Sequence, residues 1–290
     1  MRVLFSTGTL YGFPYPLAIR LAASAGCDGV ELVIDPWAVL AGPGRVAECG
    51  RRLGCPVSAL HPSLFGLPGW KGAPQAFPRL GQWALEIGCP LVVVHPPRFR
   101  DLGRNIVLFD EGLEAFRRVT RGEVVMAIEN SAVFDAEDRL HPYVWPEHIA
   151  EFARERDIAV TFDTTHAASI GLGLDGYEPV TDRLAHVHLS DFRLPPTVLD
   201  RPGLDTYLKH HQMPGPGGMD FRSWFRRLRA DGYSGAVTVE VSPVALRVWN
   251  PWAAQARLAR SVQLVRQWWA DAAAAEMLVG ETATVAEVSG

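Results

Sequence analysis

Cysteine is scarce: four residues, Cys27, Cys49, Cys55 and Cys89, all lie in the first third of the chain, and no two form a C-x-x-C pair. They are expected to be reduced, mostly buried thiols, and neither a disulfide framework nor a zinc knuckle. No stretch approaches the roughly 18 consecutive apolar residues that span a bilayer, so no membrane span is expected. The opening MRVLFSTGTLYGFPYP has no sustained apolar run before a small-residue cleavage site, which makes the cytoplasm the simplest expectation. Basic excess is missing as well. The 28 Lys and Arg against 32 Asp and Glu give a formal net charge of −4, with no Arg/Lys-rich stripe. Proteins that bind nucleic acid usually carry such a face, so the expected partner is a small molecule. A Gly-rich phosphate loop is also lacking. After the first apolar run stands STGTLYG, not G-x-G-x-x-G, which argues against a dinucleotide-binding open sheet.

What is present is a repeat. Eight short, β-branched apolar runs follow one another: VLFST (3–7), GVELV (29–33), PVSALH (56–61), LVVVH (91–95), VVMAIE (124–129), AVTFD (159–163), LAHVHL (184–189) and AVTVEV (236–241). Most are spaced by the length of one βα unit, and nearly continuous apolar runs are the signature of parallel strands buried on both faces. Between them lie amphipathic stretches at 16–26, 75–88, 146–157, 221–232 and 251–274, several opening at Pro and closing at Gly. Eight units imply a single α/β domain, a (β/α)₈ TIM barrel over residues 1–275, closed by a C-terminal helix. Residues 276–290 lose helical periodicity and are expected to form a loosely packed tail. Long connections after the third run (62–73) and the seventh (191–220) are expected to be active-site lids.

The runs end in residues that bind metals. Glu31 stands on the second, His61 on the third, His95 on the fourth, Glu129 on the fifth, Asp163 on the sixth, His188 on the seventh and Glu240 on the eighth. In a parallel barrel these ends meet at one mouth, where barrel enzymes keep their active sites. A carboxylate inside a run such as VVMAIE is costly to bury unpaired, and a shared divalent cation relieves several at once. Three carboxylates with one imidazole suit Mn²⁺, Mg²⁺, Co²⁺, Fe²⁺ or Zn²⁺. Glu31 fits a ligand or substrate contact and a structural ion pair equally well. His186 points the same way as His188 by the period of two and is expected one layer deeper, as a packed histidine.

The segments GCDGVEL, VVVHPP, IEN, FDTTHA, HVHLSD, PGPGGMDF and VEVSP, in that order, resemble the xylose-isomerase-like barrel superfamily over roughly residues 3–270. That group includes sugar phosphate isomerases and epimerases, ketose 3-epimerases, inosose dehydratases and type IV apurinic endonucleases. The resemblance implies Glu129, Asp163, His188 and Glu240 as metal ligands. It also implies His166 as a substrate contact or a ligand to a further ion.

Two functions follow from it. In the first, one metal holds a small sugar, polyol or hydroxy-carbonyl compound while Glu129 and Glu240 relay a proton, giving an isomerase, epimerase or related lyase. His166, His211, Lys209 and Arg193 would hold substrate oxygens, and Tyr11, Phe13, Trp70 and Trp249 would wall the pocket. In the second, His61 and His95 join Glu129 around a second ion, as in the type IV apurinic endonucleases, giving a multinuclear hydrolase or oxidase. His166 and His211 match that family's third site, but Lys209 stands where it has an aspartate and supplies no ligand. The cluster Arg98–Arg100–Arg104 is placed to meet an anionic substrate. Trp268 and Trp269 offer a surface for association into a homo-oligomer or for packing on the barrel.

Overall fold

The computed structural model describes residues 1–133, 137–193 and 208–288. Its eight strands are β1 (Arg2–Ser6), β2 (Gly29–Val33), β3 (Val57–His61), β4 (Leu91–Val94), β5 (Val125–Glu129), β6 (Ala159–Asp163), β7 (Leu184–Leu189) and β8 (Ala236–Val239). They pair in parallel in sequence order, and β8 pairs with β1 to close the barrel. Each apolar run of the sequence is a strand to within two residues. His95 and Glu240 fall just beyond their strands, at the C-terminal rim.

The barrel interior is graded along its axis. Near the N-terminal end it is filled by small and medium apolar side chains, among them Leu4, Ala59, Val93, Ala127 and Ala236. Further along, the inward positions turn polar: Glu31, Thr161, His186 and Thr238 are all fully buried. At the mouth stand His61 and Glu129, two residues beyond Ala59 and Ala127, with Asp163 and His188, two beyond Thr161 and His186, so strand stagger together with the period of two sets the level of each residue. A much larger apolar shell, containing Phe5, Ile19, Leu60, Phe109, Phe162 and Trp224, packs the strands against the outer helices.

The five amphipathic stretches are helices, at Tyr15–Ser24, Ala73–Ile87, Pro146–Glu155, Phe221–Ala230 and Pro251–Val288. Among the described residues, sequence periodicity passed over a long one, Leu102–Thr120. Its apolar face is interrupted by Gly112, where an added Cβ would lie 2.6 Å from the backbone carbonyl of Ala73. The glycine permits a close helix crossing and at the same time blurs the pattern. The last helix also runs through the expected boundary at 275, as far as Val288. The run DAAAAEML has high helix propensity, which a reading of amphipathic periodicity alone does not register. Of the long connection after β7, residues 194–207 lie outside the described residues.

Candidate metal centre

Four consecutive strands deliver four side chains to one arc of the mouth. Glu129 ends β5, Asp163 ends β6, His188 lies near the end of β7 and Glu240 follows β8, and their ligand atoms lie within 4.8 Å of one another. His188 Nδ1 is the hub, 2.7 Å from Glu129 Oε1, 2.8 Å from Glu240 Oε2 and 4.0 Å from Asp163 Oδ2. A ring nitrogen carries at most one proton and satisfies one carboxylate. Asp163 Oδ2 and Glu240 Oε2 make no hydrogen bond. Buried carboxylate oxygens left in this state are costly, and a divalent cation among them removes the excess negative charge. The residues therefore fit the group their chemistry implies.

The titration behaviour reflects the same crowding. Burial, reinforced by Glu129 and Glu240 against the opposing charges of His211 and His188, pushes the Asp163 carboxyl up to about 7. At Glu129 burial pushes upward too, but the charge of His188 and hydrogen bonds from His188 and His61 outweigh it and hold the carboxyl well below its usual range. Burial disfavours a charged His188, yet Glu31, Glu240 and Glu129 hold its proton well above the ordinary imidazole value.

The surrounding imidazoles are held in defined tautomers. His61 Nδ1 lies 2.8 Å from the Pro62 carbonyl and His166 Nδ1 lies 2.7 Å from the Asn130 carbonyl. A carbonyl only accepts, so each ring carries a hydrogen on Nδ1 and turns Nε2 away from that carbonyl. His61 Nε2 and His95 Nε2 then stand 3.7 and 3.5 Å from Glu129 Oε2, the oxygen that His188 does not use. Asp163, His166 and His211 make a further cluster, with the rings of the two histidines 5.3 Å apart edge to face. His211 adopts the left-handed conformation, φ 48°, uncommon for a residue other than glycine. The Ser242 N–H donates to its carbonyl at 2.7 Å and helps to hold it there.

Glu31 does not reach the mouth. It lies a layer below, fully buried, with Oε2 2.9 Å from both His186 Nε2 and His188 Nε2. His186 is likewise fully buried.

Above the cluster opens a cavity of about 710 Å³. Of the quartet, Glu129 and Glu240 line it, and Asp163 and His188 do not. His61, His95, His166 and His211 also face it, with Tyr11, Leu64 and Phe65 on the opposite wall. The Tyr11 hydroxyl shares a 2.7 Å hydrogen bond with Ser63 Oγ, and its ring meets Phe65 edge-on at 5.2 Å, tying the loop after β1 to the loop after β3.

Several expected contacts lie elsewhere. Trp70 is buried against Trp83, 5.4 Å away edge to face, with Arg79 over its ring, so it is a packing residue of the β3 loop and not a wall of the cavity. Phe13 and Trp249 are exposed and do not line it. Arg193 and Lys209 are joined to each other, the Arg193 N–H donating to the Lys209 carbonyl at 3.0 Å, and neither lines the cavity. Arg98, Arg100 and Arg104 do not line it either. Trp268 packs inward on Phe221 and Phe225, which accounts for its burial within the chain.

Sequence reasoning passed over Asn130, whose Oδ1 accepts from Asp163 N at 2.8 Å and whose Nδ2 donates to Asp163 O at 3.1 Å, locking the end of β5 to that of β6. Its signal was its place directly after Glu129 in IEN. Asp138 and His141, which also line the cavity, begin and follow a single 3-10 turn, Asp138–Leu140, too short to leave a pattern that marks them.

A closed parallel barrel with a carboxylate–histidine cluster at its C-terminal rim defines a known class. The family model for the xylose isomerase-like TIM barrel matches residues 19–267, and the chain belongs to that family. Solved structures of the same fold include 3-keto-D-glucoside 4-epimerase from E. coli, 19% identical over 91% of this chain and 99% of that one, with a TM-score of 0.66. D-psicose 3-epimerase from Clostridium cellulolyticum H10, solved with D-tagatose, is 13% identical over 93% and 99%, TM-score 0.67. The IOLI protein, solved with a zinc atom, is 18% identical over 94% and 98%, TM-score 0.65. At these identities the likeness carries the fold alone. No curated protein matches the chain.

Proposed function

We propose that the chain is a divalent-metal-dependent isomerase or epimerase, or a closely related lyase, acting on a small uncharged sugar, polyol or hydroxy-carbonyl compound. One observation carries the reading: of the four clustered ligands, the two glutamates alone also face the cavity. Asp163 and His188 are placed to hold an ion, whereas Glu129 and Glu240 can touch both ion and substrate. A bound cation would supply positive charge where an oxyanion develops next to the reacting carbon. One glutamate takes the proton from the carbon beside the carbonyl, and the other returns it. His166 and His211 hold substrate oxygens. Among the described lining residues there is no Lys or Arg to receive a phosphate, which favours an uncharged substrate. The epimerase and zinc-bound relatives of the same fold agree with this reading.

The test is Glu240→Gln, assayed against a panel of ketoses and 3-keto-glycosides. Turnover should fall about 100-fold or more, the range of a lost general acid or base, while circular dichroism shows the barrel intact. Undiminished turnover overturns the proton relay.

A second reading rests on Glu129. Its Oε2 faces His61 and His95 while its Oε1 faces His188, so His61, His95 and Glu129 would hold a second ion beside the first. Two ions a few ångströms apart serve phosphoester hydrolysis or oxygen chemistry. Elemental analysis of protein purified without chelator separates the readings. One equivalent supports the isomerase, and two support the multinuclear enzyme.

A further inference from the structure

Beneath the mouth lies a buried polar layer with an apolar floor, and its charged centre is Glu31. No solvent reaches Glu31, His186, His188 or Thr238. Glu31 Oε2 lies 2.9 Å from His188 Nε2 and 2.9 Å from His186 Nε2, while His186 Nε2 also lies 2.9 Å from Thr238 Oγ1. The Thr238 hydroxyl stands 3.4 Å from the same oxygen. An all-apolar layer would have avoided the cost of burying a carboxylate at all, so Glu31 is there for the residues above it.

The answer lies in the two ends of His188. Its Nε2 points down to Glu31, and its Nδ1 points up among Glu129, Glu240 and Asp163. A neutral imidazole carries one hydrogen. With the hydrogen on Nδ1, the Nε2 lone pair would face the Glu31 carboxylate across 2.9 Å with no donor between them. With the hydrogen on Nε2, Glu31 accepts it and the Nδ1 lone pair is presented to the carboxylate arc. Glu129 and Glu240 stand as close to Nδ1, at 2.7 and 2.8 Å, so the ion-free ring holds a hydrogen at both ends, and with a cation in the arc Glu31 admits only the second tautomer. The ring cannot turn over to escape the choice, since it is packed at 5.4 Å edge to face against His186 and at 6.1 Å against His61.

We infer that Glu31 is a positioning residue for the metal centre. It fixes His188 in the Nε2–H tautomer, so that Nδ1 serves as the ligand nitrogen, and raises the basicity of that nitrogen through the buried hydrogen bond. His186, on the same oxygen, anchors Glu31 from the side. This inference rests on the metal-dependent reading above. It assigns Glu31 to the support of a ligand, out of contact with substrate. The logic is that of other protein metal sites, where a carboxylate on the far nitrogen of a ligating histidine sets both orientation and affinity.

The experiment compares wild-type protein with Glu31→Gln by titration with Mn²⁺ or Zn²⁺ in competition with a chelator, alongside ¹⁵N spectra of the imidazoles. In the loaded wild type, His188 should carry its hydrogen on Nε2, with Nδ1 showing the shift of a metal-bound nitrogen. Glu31→Gln, whose amide can donate to Nε2 as well as accept from it, should bind the ion about 10- to 100-fold more weakly. Glu31→Asp, which keeps the charge but shortens the reach, should recover part of that loss. Thr238→Val removes a neighbour of the network without touching His188 and should leave affinity within a few-fold. Wild-type affinity in Glu31→Gln, or a loaded wild type with the hydrogen on Nδ1, overturns the inference and leaves the metal reading standing. Wild-type protein that binds neither ion overturns both. Should Glu31→Gln fail to fold, the spectrum of the loaded wild type still decides.

Discussion

Glu129 Oε2 and His61 Nε2 face each other at 3.7 Å as two acceptors, because His61 gives its Nδ1 hydrogen to the Pro62 carbonyl. Something positive must lie between them, either a proton or an ion. Burial disfavours a charged His61, but the hydrogen bond to Glu129 and the charges of Glu31, Glu129 and Glu240 together raise its proton affinity, so a proton suffices. On the isomerase reading His61→Ala is therefore expected to keep its bound ion, at the wild-type stoichiometry of one, and to lose part of its turnover. Elemental analysis of the two proteins side by side checks this. A wild type with two ions and a variant with one would replace the isomerase reading by the two-ion one.

Loading the site should release protons, and the number should depend on pH. His188 holds its proton well above the ordinary value in the ion-free protein, and Nδ1 must lose it to become a ligand. Asp163 stays protonated up to about 7 and must also ionise. Near pH 8 about one proton should leave, from His188. Near pH 6 the number should approach about two, as Asp163 adds its own. Apparent ion affinity thus weakens as pH falls through 7. Calorimetric titration in buffers of different ionisation enthalpy counts the protons, and a number that stays flat between pH 6 and 8 would contradict the Asp163 assignment. The same raised carboxyl makes a contribution to ion-free stability that is greatest in acid and is lost as pH rises from about 4 to about 7, because the unfolded chain ionises first.

The barrel and the clustering of Glu129, Asp163, His188 and Glu240 at its mouth were legible because both depend on local repetition. Each strand is a continuous apolar run, and a charged residue closing it, as in VVMAIE or AVTFD, has few other reasons to be there. Glu31 shows where legibility stops. The sequence places it on a strand like the others, yet its level in the barrel is set by strand stagger, including the shift in pairing between Val30 and Glu31. That shift puts it beneath His188 and away from the cavity. Trp70 misleads for a related reason. Its loop was correctly placed at the mouth, but a loop can fold its aromatic residue back onto a helix, as this one does onto Trp83.

Gly112 is expected to matter for stability and not for the site. A Cβ there meets the Ala73 carbonyl carbon and oxygen at 2.6 Å, and backbone cannot rotate away as a side-chain end can. Gly112→Ala should cost about 1–3 kcal/mol, the usual range for overpacking, although alanine is the better helix former. Thermal unfolding should show the loss while ion stoichiometry stays that of the wild type. A variant more stable than the parent would mean the two helices separate easily.

Asp191 ties the loop after β7 to the barrel, and this tie should act on substrate and leave the ion alone. Its Oδ2 accepts from Gly215 N at 3.1 Å and Gly217 N at 2.8 Å, and its Oδ1 accepts from Phe192 N at 3.0 Å. Gly217 sits so close that an added Cβ would fall 2.1 Å from that Oδ1, so the glycine and the aspartate form one latch. The latch holds the segment leading out of His211, whose left-handed backbone needs support from its surroundings. Asp191→Asn removes one acceptor and turns an amide hydrogen toward backbone N–H groups, a loss of about 1–3 kcal/mol. Gly217→Ala should break the same contacts, so the two together should cost less than the sum of each alone. Because Asp191 touches none of Glu129, Asp163, His188 and Glu240, ion affinity should survive in all three variants. Because His211 faces the cavity, KM for the substrate should rise by more than kcat falls. If ion affinity drops in step with turnover, the loop supports the ligand arc itself, and His211 belongs with the ion rather than with the substrate.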